Sequence, residues 1–234
     1  MSDDVAGRLA SVREAICAAC VAAGRAPSTV RLVAVSKGQP VDSIRAAWTA
    51  GQRDFGENYA QELRAKQAAL ADLDGIVWHF VGRVQRGNAR TIAGAALVHG
   101  VGSVAQADAL DHEARRRGMS LPVLLQVNLI DEASKNGFTA EAVRGVLPAL
   151  RGLGGLQLTG FMAMPLVEPA ALPEAFAAVR RLRDGYAPDL SELSMGMSGD
   201  FVEAIAAGAT LVRVGTRIFG PRAAPRPDSE GGPP

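Results

Sequence analysis

The stretch Leu32-Val-Ala-Val-Ser-Lys37, followed by Gly-Gln-Pro40, decides how the rest of the chain is interpreted. Its apolar residues are typical of a buried strand, and Lys37 stands where that strand ends. An open dinucleotide-binding sheet should carry a Gly-x-Gly-x-x-Gly loop at this point, and the sequence has none. The stretch therefore predicts a parallel strand that ends in a lysine.

Seven further apolar or β-branched runs follow, separated by segments with helical periodicity. Strands that alternate with helices pair in parallel through right-handed crossovers. Eight such units of roughly 25 residues each predict an α/β fold of the (β/α)8 TIM-barrel type. A doubly wound open sheet is the alternative, which the missing glycine loop disfavours. The predicted strands are Arg31–Ser36, Arg53–Gly56, Ile76–Val81, Leu97–Val101, Val123–Asn128, Leu156–Ala163, Leu190–Met195 and Thr210–Val214.

An extra helix is predicted before the first strand, because apolar residues recur there at helical spacing from Val5 to Cys20. Caps delimit three later helices. They are Ser103 with Gly118, Thr139 with Gly152, and Ser198 with Gly208.

Composition limits the possible functions. The 234 residues carry a net charge of +1 and two cysteines, which disfavours nucleic-acid binding and a disulfide scaffold. An acidic start and the lack of a long apolar run predict a cytoplasmic protein without membrane attachment. Residues 1–222 are expected to form one barrel, and the Pro/Gly-rich residues 223–234 a disordered tail.

Chemistry in such barrels lies at the carboxyl ends of the strands. Lys37 at that end would present an amine whose burial favours the neutral form that Schiff-base chemistry needs. The alternative is a lysine that reaches solvent.

The loops after the last two strands predict a phosphate site. Ser198, Gly199, Gly215 and Thr216 offer hydroxyls and backbone N–H groups there. Helix capping by Ser198 explains one residue of this set and not the others. A lysine beside a phosphate site suggests pyridoxal phosphate or an aldolase substrate.

Several motifs resemble those of the pyridoxal phosphate homeostasis proteins, which are single-domain relatives of the alanine racemase N-terminal barrel. The similarity spans roughly residues 5 to 222. The motifs are Val33–Lys37, Phe55–Tyr59 with Gln61-Glu62, Trp78–Gly82, Leu125–Asn128 with Glu132–Gly137, Gly160–Pro165, Leu193–Ser198, Val212–Thr216 and Ile218–Gly220.

The resemblance implies an alanine racemase N-terminal-like barrel that holds pyridoxal 5'-phosphate as a reversible aldimine on Lys37. It implies that Arg213 approaches the pyridine nitrogen. The phosphate would be held by Ser198, Gly215 and Thr216, and the remaining pocket residues would be Asn58, His79 and Met195.

This sequence departs from the family pattern in two places. Gln85-Arg-Gly-Asn88 lacks the usual lysine, and Gly100-Val-Gly102 replaces the usual Ser-x-Asp. Both changes remove polar side chains from the predicted rim.

The residues favour a non-catalytic cofactor carrier, and the resemblance implies that it maintains vitamin B6 and linked amino-acid homeostasis. A protonated Arg213 would keep the ring nitrogen unprotonated and weaken carbanion chemistry. A racemase also needs a second acid/base, and we expect Tyr59 to pack into the following helix and Tyr186 to lie at the wrong face. The alternatives are a weak amino-acid racemase, a Schiff-base aldolase, or an interaction barrel. The resemblance implies a monomer. No metal is expected, and a carrier could transfer the cofactor to apo-enzymes.

Overall fold

The computed structural model describes residues 3–128, 136–164 and 167–221, so the expected tail lies outside the described residues. Eight parallel strands pair in chain order, and the last pairs with the first to close a barrel. The predicted (β/α)8 barrel is therefore confirmed, and the open-sheet alternative is wrong because the sheet has no free edge.

All eight predicted strands are present, and each end lies within two residues of the predicted one. The differences fall at strand ends, where tertiary packing decides how far pairing continues. The strands are β1 (Arg31–Val35), β2 (Asp54–Glu57), β3 (Val77–Phe80), β4 (Leu97–Val101), β5 (Leu121–Val127), β6 (Leu156–Ala163), β7 (Glu192–Ser194) and β8 (Leu211–Val214).

Helices lie on the outside of the barrel, and all but the first and the last of them connect successive strands. They are α1 (Asp3–Ala22), α2 (Val41–Thr49), α3 (Ala60–Ala69), α4 (Ala89–Ile92), α5 (Val104–Arg116), α6 (Ala140–Arg151), α7 (Leu172–Tyr186), α8 (Phe201–Ala206) and α9 (Thr216–Phe219). Within the described ranges, none of the helices is long and apolar enough to cross a membrane.

The extra N-terminal helix packs against the end of the barrel sequence. α1 lies against α8 and α9, and its predicted apolar stripe from Val5 to Cys20 is buried. Arg8 fixes this contact, since its Nε donates to the carbonyl oxygen of Ile218 at 2.7 Å.

Two of the three predicted N-caps are confirmed. The side chain of Ser103 accepts from the amide of Gln106, and that of Thr139 accepts from the amide of Ala142. The prediction for Ser198 is wrong, because α8 begins after Asp200. The chain turns sharply at Gly196, whose φ is +85°, which leaves Ser198 outside the helix.

Side chains that alternate along the strands form two apolar regions. The larger lies between the sheet and the helices. The smaller fills part of the barrel interior and consists of Val33, Leu97, Leu124, Met162 and Leu211. Buried polar residues share that interior, among them His79, His99, Ser194 and Arg213.

Candidate functional site

A cavity of about 300 Å³ opens at the carboxyl ends of the strands. This size is at the lower end of the range for small-molecule sites, and the position is the one where TIM barrels carry their chemistry. We call it the mouth cavity. Its lining consists of Val35, Lys37, Gln39, Asn58, Val81, Met164, Met197, Ser198, Gly199, Arg213, Gly215, Thr216 and Gly220.

The mouth cavity brings together six of the eight predicted site residues. These six come from loops or strands that are far apart in the sequence, after β1, β2 and β7 and at the end of β8. They are Lys37, Asn58, Ser198, Arg213, Gly215 and Thr216.

The backbone before Lys37 is held by a buried lysine on α3. Lys66 Nζ donates to the carbonyl oxygen of Ser36 at 2.7 Å and to Glu57 Oε1 at 2.8 Å. The hydroxyl of Ser36 donates to the same Glu57 oxygen at 2.6 Å. These contacts hold Ser36 in place, directly before the predicted Schiff-base lysine.

The backbone after Lys37 is held by the same cluster. Glu62 Oε2 accepts from the amide of Gly38 at 2.8 Å and from Lys66 Nζ at 2.9 Å. We call Glu57, Glu62 and Lys66 the Lys66 cluster. It grips the chain on both sides of Lys37, so the cluster restricts where the Lys37 side chain begins.

Burial shapes the charges of the Lys66 cluster. Burial raises the pKa of the Glu57 carboxyl, against the lowering effect of Lys66. Burial also opposes ionisation of Glu62, but hydrogen bonds from Lys66 and the Gly38 amide bring its pKa below the usual value. Lys66 is a residue of the site that the sequence pattern did not single out. The signal was present as a Glu62–Lys66 pair at i,i+4 spacing, which is usually a surface pair.

The loops after β7 and β8 meet at one side of the mouth cavity. The hydroxyls of Thr216 and Ser198 lie 3.2 Å apart. Gly215 approaches β1 closely, because a Cβ added there would lie 2.9 Å from the carbonyl oxygen of Val35. Two hydroxyls beside a backbone without a side chain form a cradle suited to an anionic group.

Arg213 lies in the wall of the mouth cavity with only 4% of its surface exposed. Its Nη1 donates to the carbonyl oxygen of Ser194 at 2.8 Å and to Ser194 Oγ at 2.5 Å, and its Nη2 donates to the carbonyl oxygen of Ala163 at 3.0 Å. Burial lowers its pKa to about 10, partly offset by Asp200, so the guanidinium is charged at neutral pH.

Two of the predicted pocket residues lie outside the lining of the mouth cavity. His79 is 1% exposed and points into the barrel interior, where its Nε2 contacts Asp54 Oδ1 at 2.9 Å. Met195 is fully buried in the apolar region outside the barrel. Met195 is turned away from the mouth cavity because neighbouring side chains of a strand point to opposite faces. His79 faces the interior, as Val81 of the lining does, but it lies two residues nearer the amino-terminal end of the barrel.

The two departures from the family pattern have local explanations. A Cβ at Gly100 would lie 2.6 Å from the carbonyl oxygen of Gly82, so this backbone leaves no room for a side chain. Gln85 and Asn88 cap a short 3-10 turn reciprocally. The predicted motif residues Glu132 to Lys135 and Pro165 lie outside the described residues.

The two tyrosines lie away from the mouth-cavity lining. Tyr59 is 57% exposed, so the expectation that it packs into the following helix is wrong. It precedes α3 instead of lying within it. Tyr186 is the last residue of α7, and its ring stacks under the guanidinium of Arg144.

The closed barrel, with a lysine and a pair of hydroxyls at one cavity, belongs to the alanine racemase N-terminal-like class of barrels. Residues 19–223 match the family described as the alanine racemase N-terminal domain. The chain is 46% identical over 222 residues to the pyridoxal phosphate homeostasis protein of Pseudomonas aeruginosa, covering 93% of this chain and 96% of that protein. It is 38% identical over 229 residues to the Escherichia coli K12 protein of the same name, covering 94% and 97%. The chain belongs to the pyridoxal phosphate homeostasis protein family.

Solved structures agree with this assignment. The PipY protein of Synechococcus elongatus, solved with pyridoxal phosphate bound, is 41% identical with a TM-score of 0.80, covering 92% of this chain and all of that one. The alanine racemase of Bartonella henselae shares the fold alone, at 12% identity with a TM-score of 0.71, covering 94% of this chain and 59% of that one.

Proposed function

We propose that this protein binds pyridoxal 5'-phosphate reversibly at the mouth cavity, through Lys37, and holds the cofactor for vitamin B6 homeostasis. One observation carries the proposal. Lys37, the buried cation of Arg213 and the Ser198–Thr216 hydroxyl pair line a single cavity.

The donor set fits the chemistry of the cofactor. A phosphate needs hydrogen-bond donors and close backbone approach, which Ser198, Thr216 and Gly215 offer. Val35 and Val81 supply apolar surface in the same lining, as the ring of a cofactor requires.

Each lining residue has a distinct task in this proposal. Pyridoxal phosphate, when bound, supplies an aldehyde that condenses with an amine and releases water. Lys37 provides the amine, and the Lys66 cluster fixes the backbone on either side of it. Ser198, Gly215 and Thr216 hold the phosphate. Asn58 supplies a polar group to the lining of the mouth cavity.

Arg213 favours holding the cofactor over reacting with it. Its positive charge disfavours a proton on a neighbouring ring nitrogen, and a neutral ring withdraws electrons weakly. We therefore infer that carriage, including transfer to apo-enzymes, is the main activity.

A spectroscopic titration tests the binding proposal. Adding pyridoxal phosphate to the purified protein should produce the absorbance band of lysine-bound cofactor, and borohydride should fix its mass on the peptide containing Lys37. Lys37→Ala should abolish the band. Lys37→Arg is the matched control for charge, and it should fail equally because a guanidinium does not condense. A wild-type protein that produces no band would refute the proposal.

A second experiment separates carriage from catalysis. The loaded protein should reactivate an apo-enzyme that requires pyridoxal phosphate, and borohydride reduction should block that transfer. Exchange of D- and L-alanine at an appreciable rate would favour the racemase alternative. Trapping of a sugar phosphate on Lys37 would favour the aldolase.

Three further inferences accompany the proposal. We infer that the protein is a cytoplasmic monomer and that residues 1–222 suffice for binding. Sedimentation of the full chain checks the monomer, and truncation after residue 222 checks the boundary through the same titration. Fractionation of cells checks the compartment.

A further inference from the structure

A chain of side-chain hydrogen bonds crosses the barrel interior from the mouth cavity to the opposite end. Arg213 Nη1 lies 2.5 Å from Ser194 Oγ, which lies 2.8 Å from His99 Nδ1. His99 Nε2 lies 2.9 Å from His79 Nδ1. His79 Nε2 lies 2.9 Å from Asp54 Oδ1, at the start of β2. We call Ser194, His99, His79 and Asp54 the interior relay.

The two ends of the chain determine the direction of every bond in it. A guanidinium only donates, and a carboxylate only accepts. Ser194 Oγ therefore accepts from Arg213 and directs its own proton to His99 Nδ1. His99 must then donate from Nε2 to His79 Nδ1, and His79 donates from Nε2 to Asp54. With both imidazoles neutral, any other placement of their protons leaves at least one hydrogen bond between Ser194 and Asp54 with no proton or with two.

We propose that the interior relay holds both imidazoles with the proton on Nε2 and thereby positions Arg213 at the mouth cavity. His79, His99 and Asp54 are positioning residues in this proposal, since they act on the site through Ser194. The link to the cofactor rests on the proposed function; the hydrogen-bond direction does not.

Burial and charge support this direction. His79 and His99 are almost completely buried. A proton added to the ring of His99 would be poorly solvated there. Burial, the neighbouring His79 and the charges of Arg213 and Arg31 lower the pKa of His99 well below its usual value. His99 is therefore suited to act as a neutral donor and acceptor.

The accepting end of the relay lies at the amino-terminal end of the barrel. Asp54 Oδ1 is 3.9 Å from Arg31 Nη1. The other carboxylate there, Glu192, contacts Arg31 at 2.8 Å and accepts from the hydroxyl of Thr210. Glu192 is thus a neighbour of Asp54 through Arg31, while its described contacts do not include the histidines.

The relay matters to Arg213 because a hydroxyl oxygen accepts best when its own proton points elsewhere. His99 Nδ1 accepts the hydrogen bond from that hydroxyl, which turns an Oγ lone pair of Ser194 towards Arg213. Successive bonds in one direction also polarise one another. The guanidinium therefore keeps one geometry at the cavity wall.

Histidine nitrogen NMR on the protein without cofactor tests the relay directly. Wild-type His79 and His99 should both carry the proton on Nε2. Asp54→Leu removes the accepting end, so His79 should become a mixture of tautomers. Asp54→Asn keeps an accepting oxygen and should restore the wild-type tautomers. Glu192→Gln is the matched control at the same end and should leave them unchanged.

Two outcomes would overturn the relay. One is a wild-type histidine protonated on Nδ1, which is decisive even if Asp54→Leu does not fold. The other is an unchanged tautomer in a folded Asp54→Leu protein. Both readouts are independent of pyridoxal phosphate, so a protein that binds no cofactor would refute the proposed function and leave this test intact.

A titration with pyridoxal phosphate tests the effect on Arg213. Asp54→Leu should weaken binding roughly tenfold. This is the low end of the loss seen in metal sites when a hydrogen-bond partner of a ligating residue is removed. Asp54→Asn and Glu192→Gln should bind like the wild type. Altered tautomers with unchanged affinity would refute the positioning role.

Discussion

Lys66 Nζ lies 2.7 Å from the carbonyl oxygen of Ser36, the residue immediately before Lys37. Lysine usually lies at the protein surface, but Lys66 is buried against the end of β1. The amine of Lys66 also contacts Glu57 and Glu62, so the cluster combines two carboxylates with one ammonium. Its integrity should be measurable in both stability and binding.

Lys66→Met should destabilise the protein by about 3–5 kcal/mol, because it leaves the Glu57 carboxyl buried without its cation. Urea unfolding checks this value. Arg64→Met, at an exposed position on the same helix, is the control and should change stability by less than about 0.5 kcal/mol. The double variant Lys66→Met with Glu57→Gln should recover part of the loss. Equal destabilisation by Lys66→Met and by Arg64→Met would contradict the role of the cluster.

Gly215→Ala should destabilise the protein by about 1–3 kcal/mol through overpacking. Its Cβ would lie 2.9 Å from the carbonyl oxygen of Val35, which belongs to a strand and cannot move freely. Gly199 lines the same cavity, but a Cβ there would meet nothing within 4 Å, so Gly199→Ala is the matched control. Thermal unfolding without cofactor compares them, and a stable Gly215→Ala protein would show that the β1 contact is adaptable.

Removing the paired hydroxyls should weaken phosphate recognition specifically. Ser198→Ala and Thr216→Val should each reduce affinity for pyridoxal phosphate by about 1.5–3 kcal/mol, the usual value of a hydrogen bond to a charged group. Affinity for pyridoxal, which lacks the phosphate, should change little. Ser103→Ala, at the cap of α5, controls for loss of a hydroxyl elsewhere. Equal losses for both ligands would place the phosphate elsewhere.

Stability should depend on pH through His99. The unfolded chain binds a proton at this residue as the pH falls through about 6.5, whereas the folded chain, with a lowered pKa, does not. The contribution of His99 is therefore fully present above that pH and is lost below it, by up to about 1.4 kcal/mol per pH unit.

His99→Gln should remove this component. Urea unfolding at pH 7.5 and 5.5 should show a smaller loss of stability on acidification in the variant than in the wild type. The same pH dependence in both proteins would mean that His99 is protonated in the folded state.

The sequence alone determined the order of the elements and the chemistry at the ends of several strands. Apolar runs of strand length fixed eight strands to within two residues, because local periodicity reports which face of an element is buried. Lys37, Arg213 and Ser198 could be recognised for the same reason, since each lies within four residues of the end of such a run.

Only the tertiary structure decided which polar residues face the cavity and which face the barrel interior. His99 and Ser194 are separated by 95 positions, and Lys66 and Ser36 by 30, so no local pattern predicts either contact. Closing the sheet places β2, β3, β4, β7 and β8 around one interior, where His79 contacts Asp54 across the strands. Periodicity assigns a side chain to one face of a strand, but barrel closure determines what lies opposite that face.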